Sequence, residues 1–318
     1  MSINVEKIIE GNRRALAKAI TLIESQKEDH RIQAQVVLEK ILPHSGKSIR
    51  IGISGTPGVG KSTFIEAFGR LVIGLGKKVA VLAVDPSSPV AGGSILGDKT
   101  RMEELSREAN AYIRPSPSSG QLGGVAQKTR ESMLLCEAAG FDVILVETVG
   151  VGQSEFEVAG MVDFFLVLMQ PNAGDDLQGI KKGIMELADA LVINKADGDG
   201  EIFARQAKRF YKNAMDLVAK GGFWTPRVTT CSARENIRID AVWEMIEDYR
   251  EAAEEAGEFR LKRATQNKQW MEKLFMDLIE RKMQTHPDYK STRGELENKV
   301  IEGEITPLAG AQKIADLF

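Results

Sequence analysis

The residues best placed to do chemistry form one glycine-rich segment, Gly55-Thr56-Pro57-Gly58-Val59-Gly60-Lys61-Ser62-Thr63. It follows a β-branched run at 49–54 and precedes an apolar-periodic stretch at 64–71 that predicts a helix. A polyphosphate needs converging backbone N–H donors, and glycines let the main chain approach it closely. Lys61 can reach the β and γ phosphates, and the Ser62 hydroxyl is placed to ligate Mg²⁺. The segment predicts a P-loop for a nucleoside triphosphate; the plainer alternative is a glycine-rich turn with an incidental lysine.

A second motif, Asn194-Lys195-Ala196-Asp197, directly follows the apolar run at 190–193. The Asp197 carboxylate can accept hydrogen bonds from N1–H and the 2-amino group of guanine, and adenine offers no such pair of donors. Ser232-Ala233-Arg234 follows a later β-type run, in the order expected of the loop whose backbone contacts guanine O6. We therefore expect GTP and GDP as ligands, although a motif this short also occurs by chance.

Three acidic residues are predicted at strand ends near the γ-phosphate. Asp85 and Glu147 close the predicted strands at 78–84 and 142–147, and Asp98 lies in a glycine-rich stretch. Carboxylates at this edge suit Mg²⁺, so we predict a magnesium site made of Ser62, Asp85, Asp98 and Glu147. Each acid could instead be a helix or turn cap.

Two polar loops follow strands and could respond to the nucleotide. One is Gly150-Val151-Gly152-Gln153-Ser154-Glu155, and the other runs from 171 to 181. We predict in-line attack of water on the γ-phosphate, with Lys61 stabilising the transferring group and Asp85 orienting the water. Gln153 and Lys181 are expected to contribute when a partner binds. Because no residue is an obvious strong base, intrinsic turnover is expected to be slow.

Composition sets the class of protein. The chain has 318 residues, 43% of them hydrophobic and 27% charged, with a net charge of −3. It has no basic stripe for nucleic acid and no apolar run near the roughly 18 residues that a membrane span needs. The N-terminus predicts neither a secretion signal nor a transit peptide, so a cytoplasmic location is expected. Cys136 and Cys231 are expected to be buried thiols.

The apolar pattern predicts an α/β fold in three parts: an N-terminal helical segment at 1–46, a P-loop domain at 47–252 and a C-terminal helical extension at 253–318. The first part is expected to hold two helices broken near 27–29. Strands are predicted at 49–54, 78–84, 142–147, 163–169, 190–194 and 226–231, and their continuous apolar runs indicate a mostly parallel sheet covered on both faces. The extension is predicted to hold three helical pieces, packing on the domain, on a second copy of the chain, or as an intrachain hairpin.

These motifs together resemble the MeaB/ArgK family of P-loop GTPases associated with methylmalonyl-CoA mutase. The resemblance rests on Gly55–Thr63, on the segments around Asp85 and Asp98, on 147–155 and 174–178, and on Asn194–Asp197. It continues in the tail at Arg263, Gln266, Trp270-Met271 and Thr285-His286-Pro287, and so covers nearly the whole chain.

The resemblance implies a G-protein chaperone of an adenosylcobalamin-dependent acyl-CoA mutase, which uses GTP to gate cofactor loading and to protect the mutase. It also implies a homodimer built partly from the C-terminal helices. It places Mg²⁺ near Ser62, Asp85, Asp98 and Glu147, and assigns Lys181, with Asp175 and Gln178, to a loop that responds to the partner.

One segment departs from the family pattern. After Ser232-Ala233, many relatives have glycines, whereas this chain continues through Asn236, which tolerates a left-handed backbone.

A kinase of a periplasmic amino-acid-binding protein would be expected to use ATP, and the 194–197 motif argues against that nucleotide. A nickel-type metallochaperone needs metal-binding side chains, but His30, His44 and His286 all lie away from the motifs.

Overall fold

A seven-stranded parallel sheet forms the centre of the computed structural model, which describes residues 3–84, 102–116, 122–148, 154–171, 182–218 and 221–318. The strands are β1 (Ile49–Gly55), β2 (Val79–Val84), β3 (Ala111–Ser116), β4 (Val143–Thr148), β5 (Phe164–Met169), β6 (Ala190–Ile193) and β7 (Arg227–Thr230). They lie in the order β3-β2-β4-β1-β5-β6-β7, and every pair is parallel. All strand carboxyl ends therefore meet at one edge, and β1 lies between β4 and β5 at the point where the strand order reverses.

Thirteen α-helices lie within the described ranges. They are α1 (Val5–Ile9), α2 (Arg13–Glu24), α3 (Glu28–Ile41), α4 (Lys61–Gly74), α5 (Glu103–Arg107), α6 (Leu122–Ala138), α7 (Ser154–Ala159), α8 (Lys182–Met185), α9 (Gly200–Val218), α10 (Ile239–Glu255), α11 (Glu258–Thr285), α12 (Tyr289–Ile301) and α13 (Pro307–Ala315). No helix among the described residues is both long and apolar enough to cross a membrane.

Both faces of the sheet are covered, because its central strands are buried along their whole length. One apolar core joins α1, α2, α3 and α6 to one face, with Leu16 and Ile20 of α2 fully buried. The other core joins α4 and α10 to the opposite face, where Phe68 lies edge-on to Trp243. Strands buried on both faces read as continuous apolar runs, which is why the sequence revealed them.

A buried ion pair ties the N-terminal side of the sheet together. The Arg50 guanidinium donates from Nε and an Nη atom to the two carboxylate oxygens of Glu137 at 2.9 and 2.8 Å. The Gly46 amide donates to the same carboxylate at 2.9 Å. This network holds the segment before β1 in place against α6.

The structure confirms the predicted α/β P-loop fold and the six predicted strands, and it corrects two details. The strand β3 was missed, because Arg114 and Pro115 interrupt its apolar pattern. Before residue 42 the chain forms three helices where two were predicted. Gly11, with φ +79°, ends α1, and the Asn12 side chain caps α2 by accepting a hydrogen bond from the Ala15 amide at 3.0 Å.

The chain divides into two compact units, Met1–Arg260 and Leu261–Phe318. The first contains the sheet together with the N-terminal helices. In the second, α12 and α13 pack together, with Leu296 buried and the Phe318 ring 5.2 Å from the His286 ring. Helix α11 carries large exposed apolar side chains in this second unit, among them Met271, Phe275 and Leu278.

Candidate functional site

The P-loop leaves β1 and enters α4 through glycines in conformations that other residues rarely adopt. Gly55 has φ +152°, and a Cβ there would lie 2.5 Å from the Leu168 carbonyl oxygen of β5. Gly60 has φ +96°, and its added Cβ would lie 2.8 Å from Asn194 Nδ2. Both positions therefore combine a left-handed backbone with a close neighbour, which explains why glycine is required.

Helix α4 begins at Lys61 without a side-chain cap, so its first N–H groups face the loop. Ser62 and Thr63 lie in this first turn, where Ser62 is half-buried and Thr63 exposed. Thr56 is half-buried, Pro57 and Gly58 are exposed, and the Val59 side chain is buried beneath the loop. The arrangement presents backbone donors and one hydroxyl to a single concave turn, as an anion site requires.

The Lys61 ammonium folds back over the loop and donates to the Gly55 carbonyl at 2.7 Å and the Thr56 carbonyl at 3.4 Å. Burial lowers the pKa of Lys61 from its usual 10.5, and the negative charges of Glu147 and Glu155 oppose that shift. The Lys61 ammonium is therefore half-buried, and its hydrogen bonds go mainly to carbonyl groups of the P-loop itself. Such a cation is ready to exchange them for phosphate oxygens.

Asn194 joins the loop after β6 to both of its neighbours. Its amide nitrogen donates to the Val59 carbonyl of the P-loop at 2.9 Å. Its amide oxygen accepts the Ala233 backbone N–H at 3.0 Å and lies 3.6 Å from the Cys231 thiol. The Lys195 ammonium adds a bond of 2.6 Å to the Gly58 carbonyl. Two residues of the predicted base-binding motif are therefore bonded directly to the predicted phosphate-binding loop.

Asp197 is held in place by the loop after β7. Its Oδ1 accepts the Ser232 hydroxyl at 2.5 Å, and the Ser232 oxygen in turn accepts the Glu235 amide at 3.2 Å. The Ala196 amide bonds the Cys231 carbonyl at 2.9 Å, which fastens the two loops along their backbones. The structure thus brings Asn194, Asp197 and Ser232 together at the carboxyl edge of the sheet.

The turn that departs from the family pattern keeps a closed geometry. Ser232 and Ile237 exchange backbone hydrogen bonds of 3.0 Å, and Asn236 adopts φ +54°. The expected left-handed conformation of Asn236 is confirmed. Arg234 points outward beside Glu235, with its side chain 84% exposed. The contact of this loop with a base stays a prediction, since the Ala233 amide bonds Asn194 here.

Acidic side chains approach the loop from β4 and α7. Glu147 is buried and lies opposite Ile53 in the β1–β4 register, one strand from the P-loop. Glu155, in the first turn of α7, is only 1% exposed and acts on Lys61 electrostatically. Glu155 was not among the predicted site residues. The sequence does contain a signal for Glu155, because this residue ends the same polar segment that contains Gln153.

Four of the predicted site residues lie outside the described residues: Asp85, Asp98, Gln153 and Lys181. The same is true of Asp175 and Gln178. Among the residues that the structure does describe, no three His, Cys, Asp or Glu side chains come together as a metal-ligand set. Cys136 and Cys231 are free, buried thiols, as predicted.

The fold and the site define a P-loop protein in which the two loops predicted to bind the base are bonded to each other and to the P-loop. The model of the family described as methylmalonyl-CoA mutase-associated GTPase MeaB matches residues 16–288. The chain belongs to this family. The resemblance drawn from the motifs is thereby confirmed.

Two relatives and one solved structure match nearly the whole chain. A putative GTPase of Caulobacter vibrioides is 52% identical over 313 residues, covering 98% of this chain and 96% of the relative. GTPase ArgK of Escherichia coli is 47% identical over 316 residues, covering 99% and 96%. A crystal structure titled LAO/AO transport system kinase has 40% identity and a TM-score of 0.80, covering 98% of this chain and 95% of that chain.

Proposed function

We propose that the protein binds and slowly hydrolyses GTP as the chaperone of an adenosylcobalamin-dependent acyl-CoA mutase, with methylmalonyl-CoA mutase as the first candidate. One observation carries the nucleotide part: Asn194 bonds the P-loop at Val59 while Asp197, three residues on, is fixed by Ser232. A carboxylate held beside a phosphate-binding loop can accept the two donors that guanine presents.

The reaction is attack of water on the γ-phosphate, in line with the bond to the departing GDP. Lys61 and the N–H groups at the start of α4 stabilise the charge on the transferring group. Asp85 is proposed to orient the water, and Gln153 and Lys181 to contribute when the partner binds.

Mg²⁺ fits the residues present. A half-buried serine hydroxyl in the first turn of α4 and the buried Glu147 carboxylate at the end of β4 are oxygen donors of the kind that this ion prefers. Ser62, Asp85, Asp98 and Glu147 would hold it. When bound, the ion would neutralise charge on the β and γ phosphates.

The partner is proposed from the family description, which names a methylmalonyl-CoA mutase-associated GTPase. We propose a cytoplasmic homodimer built partly from the C-terminal helices, without nucleic acid or membrane as a partner. The exposed Met271, Phe275 and Leu278 of α11 support the dimer, since a second copy would remove them from water.

The test is titration of the purified protein with GTP, GDP and ATP, followed by hydrolysis assays with and without the mutase. We expect binding of guanine nucleotides only, slow basal hydrolysis and a changed rate with the mutase. Lys61→Ala should lower hydrolysis by about 100-fold or more, because it removes the cation at the γ-phosphate. A preference for ATP, or full activity of Lys61→Ala, would contradict the proposal.

A kinase acting on a periplasmic amino-acid-binding protein is the second candidate, because the solved structure at 40% identity is titled a transport system kinase. It requires transfer of the γ-phosphate to a protein side chain. Incubation with γ-labelled ATP or GTP and such a binding protein separates the two, since a GTPase leaves all label in inorganic phosphate.

A further inference from the structure

Helix α9 carries an exposed surface that the proposed nucleotide chemistry does not use. We define the α9 patch as the apolar Ile202, Phe203 and Phe210 together with the cationic Lys208, Arg209 and Lys212. Ile202, Phe203 and Phe210 are 66%, 47% and 52% exposed. Arg209 and Lys212 are exposed as well, and Lys208 is half-buried.

The apolar and basic residues surround the outward side of one helix, with Phe203 and Phe210 on one flank, Lys208 and Lys212 on the other, and Ile202 and Arg209 between them. The inner side of α9 is fixed by Ala204, Tyr211 and Met215, which are buried in the core. Phe203 and Phe210 are two helical turns apart and therefore lie on one line along the helix. Ile202 and Arg209 are also two turns apart and lie on a second line. A surface helix normally turns polar side chains outward, so three large apolar residues on this side call for an explanation.

The three cationic side chains of the α9 patch are not neutralised by ion pairs with residues that the structure describes. Within the described part of the chain, Lys208, Arg209 and Lys212 form no ion pair, whereas Arg205, on the same helix, pairs with Glu201. Arg238, which bonds the Thr229 hydroxyl of β7 at 3.5 Å, adds a further positive charge. Burial and the charges of Arg238 and Lys212 lower the pKa of Lys208. Like charges are thus concentrated on a chain whose net charge is −3.

We propose that the α9 patch is a docking surface for an acidic segment of the partner protein that carries an apolar anchor. This inference rests on the proposed function, in which the partner is the mutase. Carboxylates of the partner would form ion pairs with Lys208, Arg209 and Lys212, and an apolar side chain would cover Phe203 and Phe210.

A second copy of the chain fits the α9 patch less well. A symmetric dimer would place the patch against itself, and three cations would then face three cations. Nucleic acid fits less well too, because its phosphates would leave three large apolar side chains uncovered.

The position of the α9 patch gives docking a structural link to the nucleotide. Helix α9 begins three residues after Asp197, and the Gly200 amide bonds the Asp197 carbonyl at 2.9 Å. Arg238 follows the turn that opens at Ser232. A partner seated on the patch would therefore contact a helix whose first residue is bonded to Asp197.

The experiment compares binding of the mutase to the full-length protein and to two variants, each loaded with a non-hydrolysable GTP analogue. The first is Phe210→Ser, and the second is the charge reversal Arg209→Glu/Lys212→Glu. Ile32→Ser/Lys40→Glu is the matched control, because both residues are exposed on α3. Thermal melting and basal GTP hydrolysis should be unchanged in all of them, since none of these residues contacts the site.

We expect each patch variant to raise the Kd for the mutase by about tenfold or more, with the charge reversal also flattening the salt dependence. The control should bind as the wild type does. Equal binding of all variants overturns the patch while leaving the proposed function standing, whereas failure of the wild type to bind overturns the proposed function itself. A change of oligomeric mass in the patch variants would identify a second copy of the chain as the occupant. Binding of duplex DNA by the wild type but not by the patch variants would identify nucleic acid, and either result would overturn the inference.

Discussion

Replacing Asp197 by asparagine should change which base the protein selects. The Asp197 carboxylate uses Oδ1 to accept the Ser232 hydroxyl at 2.5 Å. An asparagine oxygen can keep that bond, so its NH₂ group would then face the site. Guanine presents donors at N1 and at the 2-amino group, and two donors cannot bond each other.

The size of the effect follows from the bonds lost. A hydrogen bond to a charged group contributes about 1.5–3 kcal/mol, and each 1.4 kcal/mol is a tenfold change in Kd. We therefore expect Asp197→Asn to bind GDP roughly 10- to 150-fold more weakly than the wild type. Xanthine carries a carbonyl where guanine has its 2-amino group, so the variant should bind xanthosine diphosphate more tightly than the wild type does.

Displacement of a fluorescent nucleotide by GDP, XDP and ADP measures all three affinities. Asp199→Asn is the matched control, because Asp199 lies two residues away and is exposed. It should keep wild-type preferences. Unchanged GDP affinity in Asp197→Asn, with no gain for XDP, would refute the assignment of Asp197 to the base.

Three further predictions concern the architecture around the site. Gly60→Ala should destabilise the protein by about 1–2 kcal/mol in urea unfolding, because its backbone is left-handed and its Cβ would press on the Asn194 amide; wild-type stability would refute this. Glu137→Gln leaves the buried Arg50 charge without its counter-charge and should cost about 3 kcal/mol, measured in the same way; a change below about 1 kcal/mol would show the pair to be effectively solvated. Burial raises the pKa of the Cys231 thiol from its usual 9.0 to about 12, so the thiol should resist iodoacetamide at pH 8 until urea unfolds the protein. Because the buried thiol is favoured in its neutral form, its contribution to the free energy of unfolding should be present below pH 9 and be lost between about pH 9 and 12. Rapid alkylation of the native protein would contradict it.

The sequence predicted what continuous apolar runs and short motifs encode. The strand at 143–148 is buried throughout, and the glycine spacing of the P-loop reflects backbone geometry that few other residues allow. By contrast, β3 lies at the edge of the sheet, where a strand needs no continuous apolar run and tolerates proline. Its Arg114 pairs with Glu24 of α2, a contact about ninety residues away in sequence that local patterns cannot show.

The bridging role of Asn194 could not be predicted either. A motif indicates that a residue belongs to a base site, but the bonds from Asn194 to Val59 and Ala233 depend on β1, β6 and β7 ending at the same edge of the sheet. The electrostatic interaction of Glu155 with Lys61 likewise arises only when α7 packs against β1 and β4.

The apolar core shared by the first three helices and one face of the sheet has a practical consequence for experiments on shorter versions of the protein. A truncated gene starting at Ile49 would remove the helices that pack on α6 and expose part of that apolar core to water. Such a fragment should aggregate or be degraded, even though it keeps every nucleotide-binding motif. Limited proteolysis of the intact protein should accordingly spare the first forty residues as long as the sheet remains folded.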